Sequence, residues 1–273
     1  MSAAPDWLAG EVVTLAWCWL VERRDGAALG FTTHDRAIAR GGLVYRSAPG
    51  MKPSAVRLSA SLDAATMDVA GALTDAAIAA ADLDAGRWDG ARVTLAAVDW
   101  DDEAAPPVVV AAGTLGAVTR EGSGFSAELR GFEARLEAPA VPFTAPGCRA
   151  ALGDSACRVD MAGRRVRASV VAIDGALLTL AAPVAAGLYA HGRLRWLDGP
   201  LTGTGAAIVA DDGGRIELAE PLRAMPPLPV AVELSEGCDR TLATCSGRFA
   251  NAANFRGEPH LPGTDLLTRY PGG

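Results

Sequence analysis

The feature that most constrains this chain is a set of four cysteines in two pairs. Cys148 and Cys157 lie in FTAPGCRAALGDSACRVD, and Cys238 and Cys245 lie in SEGCDRTLATCSGRF. The pattern is C-x8-C, a gap of eighty residues, then C-x6-C. Each pair opens with Gly-Cys, so each first cysteine follows a turn-permissive residue. Each continues into a short polar stretch able to form one helical turn. Four thiols can close on a zinc ion, on an iron–sulfur cluster, or on one another as two disulfides. Structural zinc sites draw their paired cysteines from knuckles with about two to four intervening residues, which neither pair matches. The spacing fits no common cluster motif, and disulfides tolerate any spacing. On spacing alone all three stay open.

The compartment narrows the choice. The first residues lack the basic and apolar regions of a secretory signal, and the apolar run from Val12 to Val21 is too short to span a bilayer. We therefore expect synthesis in the cytoplasm and no membrane span. Structural disulfides are rare there, which moves weight towards metal. The net charge of −7 and pI near 5.0 argue against a nucleic-acid-coating role, which needs a basic stripe. Arg164, Arg165 and Arg167 are the one candidate local basic patch. With 273 residues, half of them hydrophobic, the chain can fold and bury two cores. It has no glutamine, and its only asparagines, Asn251 and Asn254, both follow Cys245. Asparagine in such a loop can form Asx turns and donate to sulfur or backbone.

Along the chain, strand signals dominate. EVVTLAWCWLV (11–21) reads as a buried strand, with Cys18 as a packed core thiol that has no partner at ligand spacing. Gly41-Gly42 predicts a hairpin, and His34-Asp35 before it reads as a turn with local hydrogen bonds. A further strand is expected from Val56 to Met67, then a helix over TDAAIAAADL capped by Thr74 and ending near Gly86. ARVTLAAVDW is a strand closed by the acidic turn 101–103. VVVAAGTLGAVTR and FSAELRGF form a hairpin through residues 121–124. FEARLEA predicts one or two helical turns, stopped by Pro139 and Pro142 at a domain boundary. After Cys157, short strands alternate with Asp-Gly turns, the first at Asp174-Gly175. This reads as a small closed barrel between the two cysteine pairs. PGTDLLTRYPGG is expected to be an exposed tail.

The fold expected is therefore mainly β. Residues 1–140 form an N-terminal β-rich domain with one or two short helices. Residues 141–273 form a cysteine domain with the barrel inserted at about 164–235.

The segments that carry the cysteines resemble the C-terminal module of tail-tip, or baseplate, hub proteins of siphophages and gene transfer agents. The likeness runs through Gly147-Cys148, Leu152-Gly153-Asp154, Cys157 and Val159-Asp160. It resumes at Gly237-Cys238-Asp239-Arg240, Cys245, Arg248-Phe249, Asn251, Asn254-Phe255-Arg256-Gly257 and Pro259-His260-Leu261-Pro262-Gly263. GFTTHDR, GLVYR and DLDAGRWDGARV extend it into the N-terminal half. In lambdoid relatives the same cysteine rhythm holds an iron–sulfur cluster. The resemblance thus implies Cys148, Cys157, Cys238 and Cys245 as ligands of a 4Fe–4S cluster that seals the barrel's open end, with zinc as a substitute. Glu258 departs from the family, where many relatives carry an aromatic before the proline.

The function this implies is a structural hub of a phage-like tail tip, not an enzyme. It would assemble as a homotrimer and join the distal tail protein to the larger central-fibre tip protein. The alternative is a cell-wall hydrolase of the tail tip. That needs a cysteine nucleophile with a histidine base. The only histidines are His34, His191 and His260, and no helix of the expected apolar type follows a cysteine. His260 could line the cysteine site or ligate, with packing in its proline-rich loop the preferred role. An electron-transfer module would call for a second cluster motif, which the sequence lacks.

Overall fold

The computed structural model describes residues 5–47, 52–53, 66–72, 78–121, 124–131, 141 and 143–261. The chain divides into two units, Met1–Ala140 and Val141–Gly273.

The first unit is built on one sheet. Its strands are β1 (Leu15–Glu22), β2 (Ala28–Thr32), β3 (Ile38–Arg40), β4 (Leu43–Arg46), β5 (Lys52–Pro53), β6 (Thr66–Ala72), β7 (Arg92–Asp99), β8 (Val108–Leu115), β9 (Thr119–Glu121) and β10 (Gly124–Gly131). Their order is β3-β4-β2-β1-β7-β8-β10-β6-β5, with β9 on β10. Neighbours are antiparallel except for β2 and β4. The central strands are buried on both faces. On β1, Trp19 and Val21 join Leu95, Trp88 and Leu83 in one apolar cluster, while Ala16 and Cys18 join Ile38 and Val98 in another. Successive side chains point to opposite faces, so one strand feeds both cores. Cys18 is a core residue, 2% exposed.

Several local expectations shift. β1 starts at Leu15, not Glu11, because Leu15 pairs with Asp99, the last residue of β7. Beyond Leu15 only the Thr14 carbonyl still meets this neighbour's main chain, accepting from the Trp100 N–H at 3.0 Å, and Val12 stands 84% exposed. The Gly41-Gly42 turn forms with φ of 59° and 78°, the left-handed pair that a tight hairpin needs. VVVAAGTLGAVTR is not one strand. The chain leaves β8 after Leu115, Gly116 donates to the Glu128 carbonyl, and Val118 drops into the core. The described helix, α1 (Ala80–Asp84), is short, with Ala79 at its N-cap making no side-chain bond. Thr74, most of the 56–67 strand, FEARLEA, Pro139, Pro142 and the tail from Pro262 lie outside the described residues.

The second unit is a closed barrel with loops gathered at one seam. Its strands are β11 (Arg165–Asp174), β12 (Leu177–Leu180), β13 (Arg193–Trp196), β14 (Gly205–Asp211), β15 (Arg215–Leu218) and β16 (Val230–Ser235). They close in the order β11-β12-β15-β14-β13-β16. Burial alternates along them: Leu178, Leu194, Trp196, Ile216, Val232 and Leu234 are each at most 2% exposed, while their neighbours in sequence are not. Inward residues alternate with outward ones in any small barrel, and each such burial stabilises by about 1.5–3 kcal/mol. The first turn uses Gly175 and Ala176, since Asp174 still pairs with Leu177. Gly175, at φ 59°, takes the first central position that a glycine favours.

The closing pair positions the site. β11 and β16 run antiparallel from Arg165 opposite Ser235 to Val170 opposite Val230. Where the chain enters the barrel and where it leaves are thus adjacent, and the Glu236 N–H donates to the Arg164 carbonyl at 3.0 Å. The two cysteine segments emerge side by side.

Candidate cysteine site

The first cysteine segment is shaped by one carboxylate. Asp154 accepts from the N–H groups of Cys157 at 2.6 Å, Ala151 at 2.8 Å and Ala156 at 2.9 Å. These donors hold its carboxyl below the usual carboxylate range. The loop is thereby wound around Asp154, with Cys157 on its last turn. Arg158, just after, is left-handed at φ 61°.

The second segment leaves the barrel through Gly237. Neither Gly147 nor Gly237 has positive φ, so the turn role expected of these glycines is not the one they play. A Cβ on Gly237 would run into the Ala190 carbonyl and the Gly192 nitrogen, so only glycine fits against this barrel loop. Arg240 turns left-handed at φ 63°. A short helix, α2 (Leu242–Gly247), follows. Its N-cap is Thr241, whose hydroxyl accepts from the Thr244 N–H, the usual cap geometry. Asp239 braces the cap, accepting from Thr241 N–H at 2.9 Å and the Thr244 hydroxyl at 2.7 Å. Cys245 is buried on this helix. The first segment forms turns only.

The two segments are stitched together by main chain. Cys148 N–H donates to the Arg240 carbonyl at 2.8 Å, and Arg149 N–H to the Arg256 carbonyl at 3.1 Å. Glu258, the residue that departs from the family, closes the rim. Its oxygens take both arms of Arg149, at 2.6 and 2.8 Å, and the Ala145 N–H at 2.9 Å. Its own N–H donates to the Ala145 carbonyl. The Arg149 guanidinium and the Ala145 amide hold the Glu258 carboxyl at about 2, from an ordinary 4.5. An ion pair closes the loop at the position where many relatives carry an aromatic.

A second polar knot ties α2 to the barrel. Glu236 accepts from Arg164 at 2.9 Å and from Arg248 at 2.7 Å, and both guanidinium groups lie 5.0 Å from the Phe249 ring. Arg248 also donates to the Leu188 and Gly237 carbonyls. Arg164 is therefore a structural partner of Glu236 and not part of a free basic patch.

The two segments that carry the four predicted residues lie side by side. No sulfur is bonded to another. Burial pushes the Cys245 thiol up, and Cys148, Cys238 and Cys157 push it further. Burial likewise raises Cys238, opposed by the Arg240 N–H and assisted by Asp239, Cys157 and Cys148. The thiols of the second pair thus sit within electrostatic reach of both thiols of the first. Three sulfurs face N–H donors: Cys148 receives Arg256 N–H at 3.3 Å, Cys238 receives Arg240 N–H at 3.4 Å, and Cys157 faces Asn251 Nδ2 at 3.7 Å. Two buried thiols, Cys238 and Cys245, whose ionisation is opposed by burial and by the neighbouring cysteines, belong to a donor set that a cationic group would stabilise. N–H donors to sulfur are the usual surroundings of ligating thiolates. The residues present fit a cluster with four cysteine ligands. Among the described residues, the four cysteines included, no group of three or more His, Cys, Asp or Glu side chains is arranged to hold a metal ion.

The histidines stand elsewhere. His34 Nδ1 accepts from the Arg36 N–H at 3.1 Å in its own turn, with Asp35 beside it and its ring against Trp100. His191 and His260 are exposed, so His260 is not packed as expected. Sequence reading missed the bracing carboxylates Asp154, Asp239 and Glu236. The Asp154 and Asp239 positions lie within the quoted likeness, and their offsets from the cysteines were the available signal.

The comparisons agree in direction. Residues 1–160 match the family described as baseplate hub protein, N-terminal attachment domain. Residues 187–265 match a second family, phage conserved hypothetical protein BR0599. The first match takes in Cys148 and Cys157, the second Cys238 and Cys245. Among solved structures, a chain from the virion of a native gene transfer agent particle is 38% identical, with a TM-score of 0.84, over 98% of this chain and 94% of that one. No curated protein sequence matches. Among the described residues no helix is long and apolar enough to cross a membrane.

Proposed function

This chain belongs to the baseplate hub family, and from that premise we propose that it is a structural subunit of the tail tip of a phage-like particle or gene transfer agent. The observation that carries this is the likeness to a gene transfer agent virion chain across 98% of this chain, covering both units. In the finer reading, the protein forms a homotrimer that joins the distal tail protein to the larger tip protein. The short edge strands β3 and β5 suit a subunit whose sheet borders meet neighbours.

The same reading assigns Cys148, Cys157, Cys238 and Cys245 as ligands of a 4Fe–4S cluster. When bound, such a cluster supplies folding free energy that this loop-rich segment lacks. The chain's own part is to bring the two pairs together through the β11–β16 seam, to wind Cys157 around Asp154, and to direct main-chain N–H groups at the sulfurs. The four free thiols and their N–H donors support the assignment. The role is structural, since the three histidines serve a turn or face solvent.

Two experiments test this. Deleting the gene should give particles stalled before tip completion, seen by electron microscopy. Normal particles lacking only wall-degrading activity would favour the hydrolase instead. Anaerobically purified protein should contain iron and acid-labile sulfide with broad visible absorption. Neither iron nor sulfide in such material would end the cluster assignment, and zinc alone would replace it by a zinc site.

A further inference from the structure

Resting on that cysteine assignment, we propose that Asn251 is the positioning residue of the site, locking the two half-sites together and tuning the group they hold. Its side chain reaches the first pair and its main chain reaches the second. Nδ2 donates to the Cys157 carbonyl at 2.6 Å and faces the Cys157 sulfur at 3.7 Å. The Asn251 N–H donates to the Cys245 carbonyl at 2.9 Å, a bond that persists when Cys245 ligates as a thiolate. The free Cys245 thiol also donates to the Asn251 carbonyl at 3.3 Å, a bond that ligation gives up. One residue therefore touches two cysteines that lie far apart in the chain.

The amide is oriented, not free to flip. Asn254 Nδ2 donates to Asn251 Oδ1 at 2.7 Å. With the oxygen so occupied, the nitrogen is the end that faces Cys157. These two asparagines are the only carboxamide side chains in 273 residues, and they are spent on one another and on this site. The contrast with the other donors matters. Cys148 and Cys238 receive main-chain N–H groups, which only proline, with its own backbone constraint, would remove. The donor at Cys157 is a side chain, so it alone can be deleted.

An N–H donor to a ligating sulfur stabilises negative charge there. It therefore strengthens metal retention and favours the reduced state, which raises the reduction potential. A merely packed asparagine would do neither. The test uses the full chain, loaded anaerobically with ferrous iron and sulfide. Two quantities are read: iron retained against a ferrous chelator, and the reduction potential followed by visible absorption.

Asn251→Ala should weaken iron retention about 10- to 100-fold, the usual cost of losing an outer partner, and shift the potential of the remaining bound fraction downward. Asn251→Asp keeps the shape and still accepts from Asn254 but cannot donate, so it should move both readouts the same way. Asn254→Ala leaves the donor in place but unoriented, and should give a smaller shift of the same sign. If Asn251→Ala does not fold by circular dichroism, Asn254→Ala decides. Wild-type retention and potential in these variants would overturn the proposal. So would lost iron with an unchanged potential, which marks a packing role. Wild-type protein that takes up no iron or sulfide removes the cluster assignment itself, a result distinct from both.

Discussion

The barrel and the cysteine loops belong to one unit but are held by opposite means. In the barrel, alternate residues of β12, β13, β15 and β16 point inward, and apolar burial supplies the stability. In the loops, residues 143–164 and 236–261, the recurring devices are carboxylates that collect N–H groups, as at Asp154 and Asp239, and shared ion pairs, as at Glu236 and Glu258. Three of the four non-glycine residues with positive φ among the described residues, Arg158, Arg240 and Ala250, lie here. Each such conformation costs about 1–3 kcal/mol, while a hydrogen bond returns about 1 kcal/mol net. The lesson is that the loops are specified in shape but poorly stocked in stability, whereas the barrel is the reverse.

The comparison breaks most sharply with Trp196→Ala. Removing this buried ring should cost about 3–5 kcal/mol, read by chemical denaturation, and should abolish iron retention as the barrel opens. Native iron retention on an unfolded barrel would show that the loops do not depend on it. Next in size is replacement of any one of the four cysteines by serine. Most iron should be lost and residues 236–261 should exchange amide hydrogens faster, while the barrel keeps its protection. Equal loss of protection in β13 and β16 would mean that the two regions unfold as one.

Smaller still is the response of the rim to acid. Glu258 has a folded value of about 2 against an ordinary 4.5. A carboxyl depressed on folding contributes stability above its ordinary value, and that contribution is lost as pH falls through the folded one. Asp154 and Asp239 are lowered as well. The loops should therefore loosen between about pH 4.5 and 2, seen as protease cleavage near residues 143–149, before the barrel responds. Glu258→Gln should show the loosened rim already at neutral pH. Cys18→Ala is the smallest change: about 1 kcal/mol of stability and no change in iron. Lost iron there would mean that the ligand set is misassigned.

What the sequence made legible follows the same division. The barrel was readable because period-two alternation and Asp-Gly turns are local signals, and Cys18 was readable as core because apolar strand residues flank it. The four cysteines stood out by residue type. The ends of β1 and β8 were not readable, since they depend on where Asp99 and Glu128 fall in other strands. Nor was the clasp of Arg149 on Glu258, more than a hundred residues apart. Gly237 was noticed for the wrong reason: the crowding of the Ala190 carbonyl against it is a tertiary fact. Arg164 looked like surface charge because Glu236 reaches it only after the barrel closes.

That closure also bears on the order in which the molecule can assemble. A flexible chain of eighty residues between Cys157 and Cys238 would oppose the meeting of the two pairs through its lost conformational freedom. The folded barrel delivers Arg164 and Glu236 already in contact, so the effective tether shrinks to residues 158–164 and 236–237. On a logarithmic dependence of loop-closure entropy on length, that difference is about 2 kcal/mol in favour of the assembled site. On the proposed cluster assignment, prior folding of the barrel is then the favoured route, and metal capture would be a late step that reports on a correctly folded subunit.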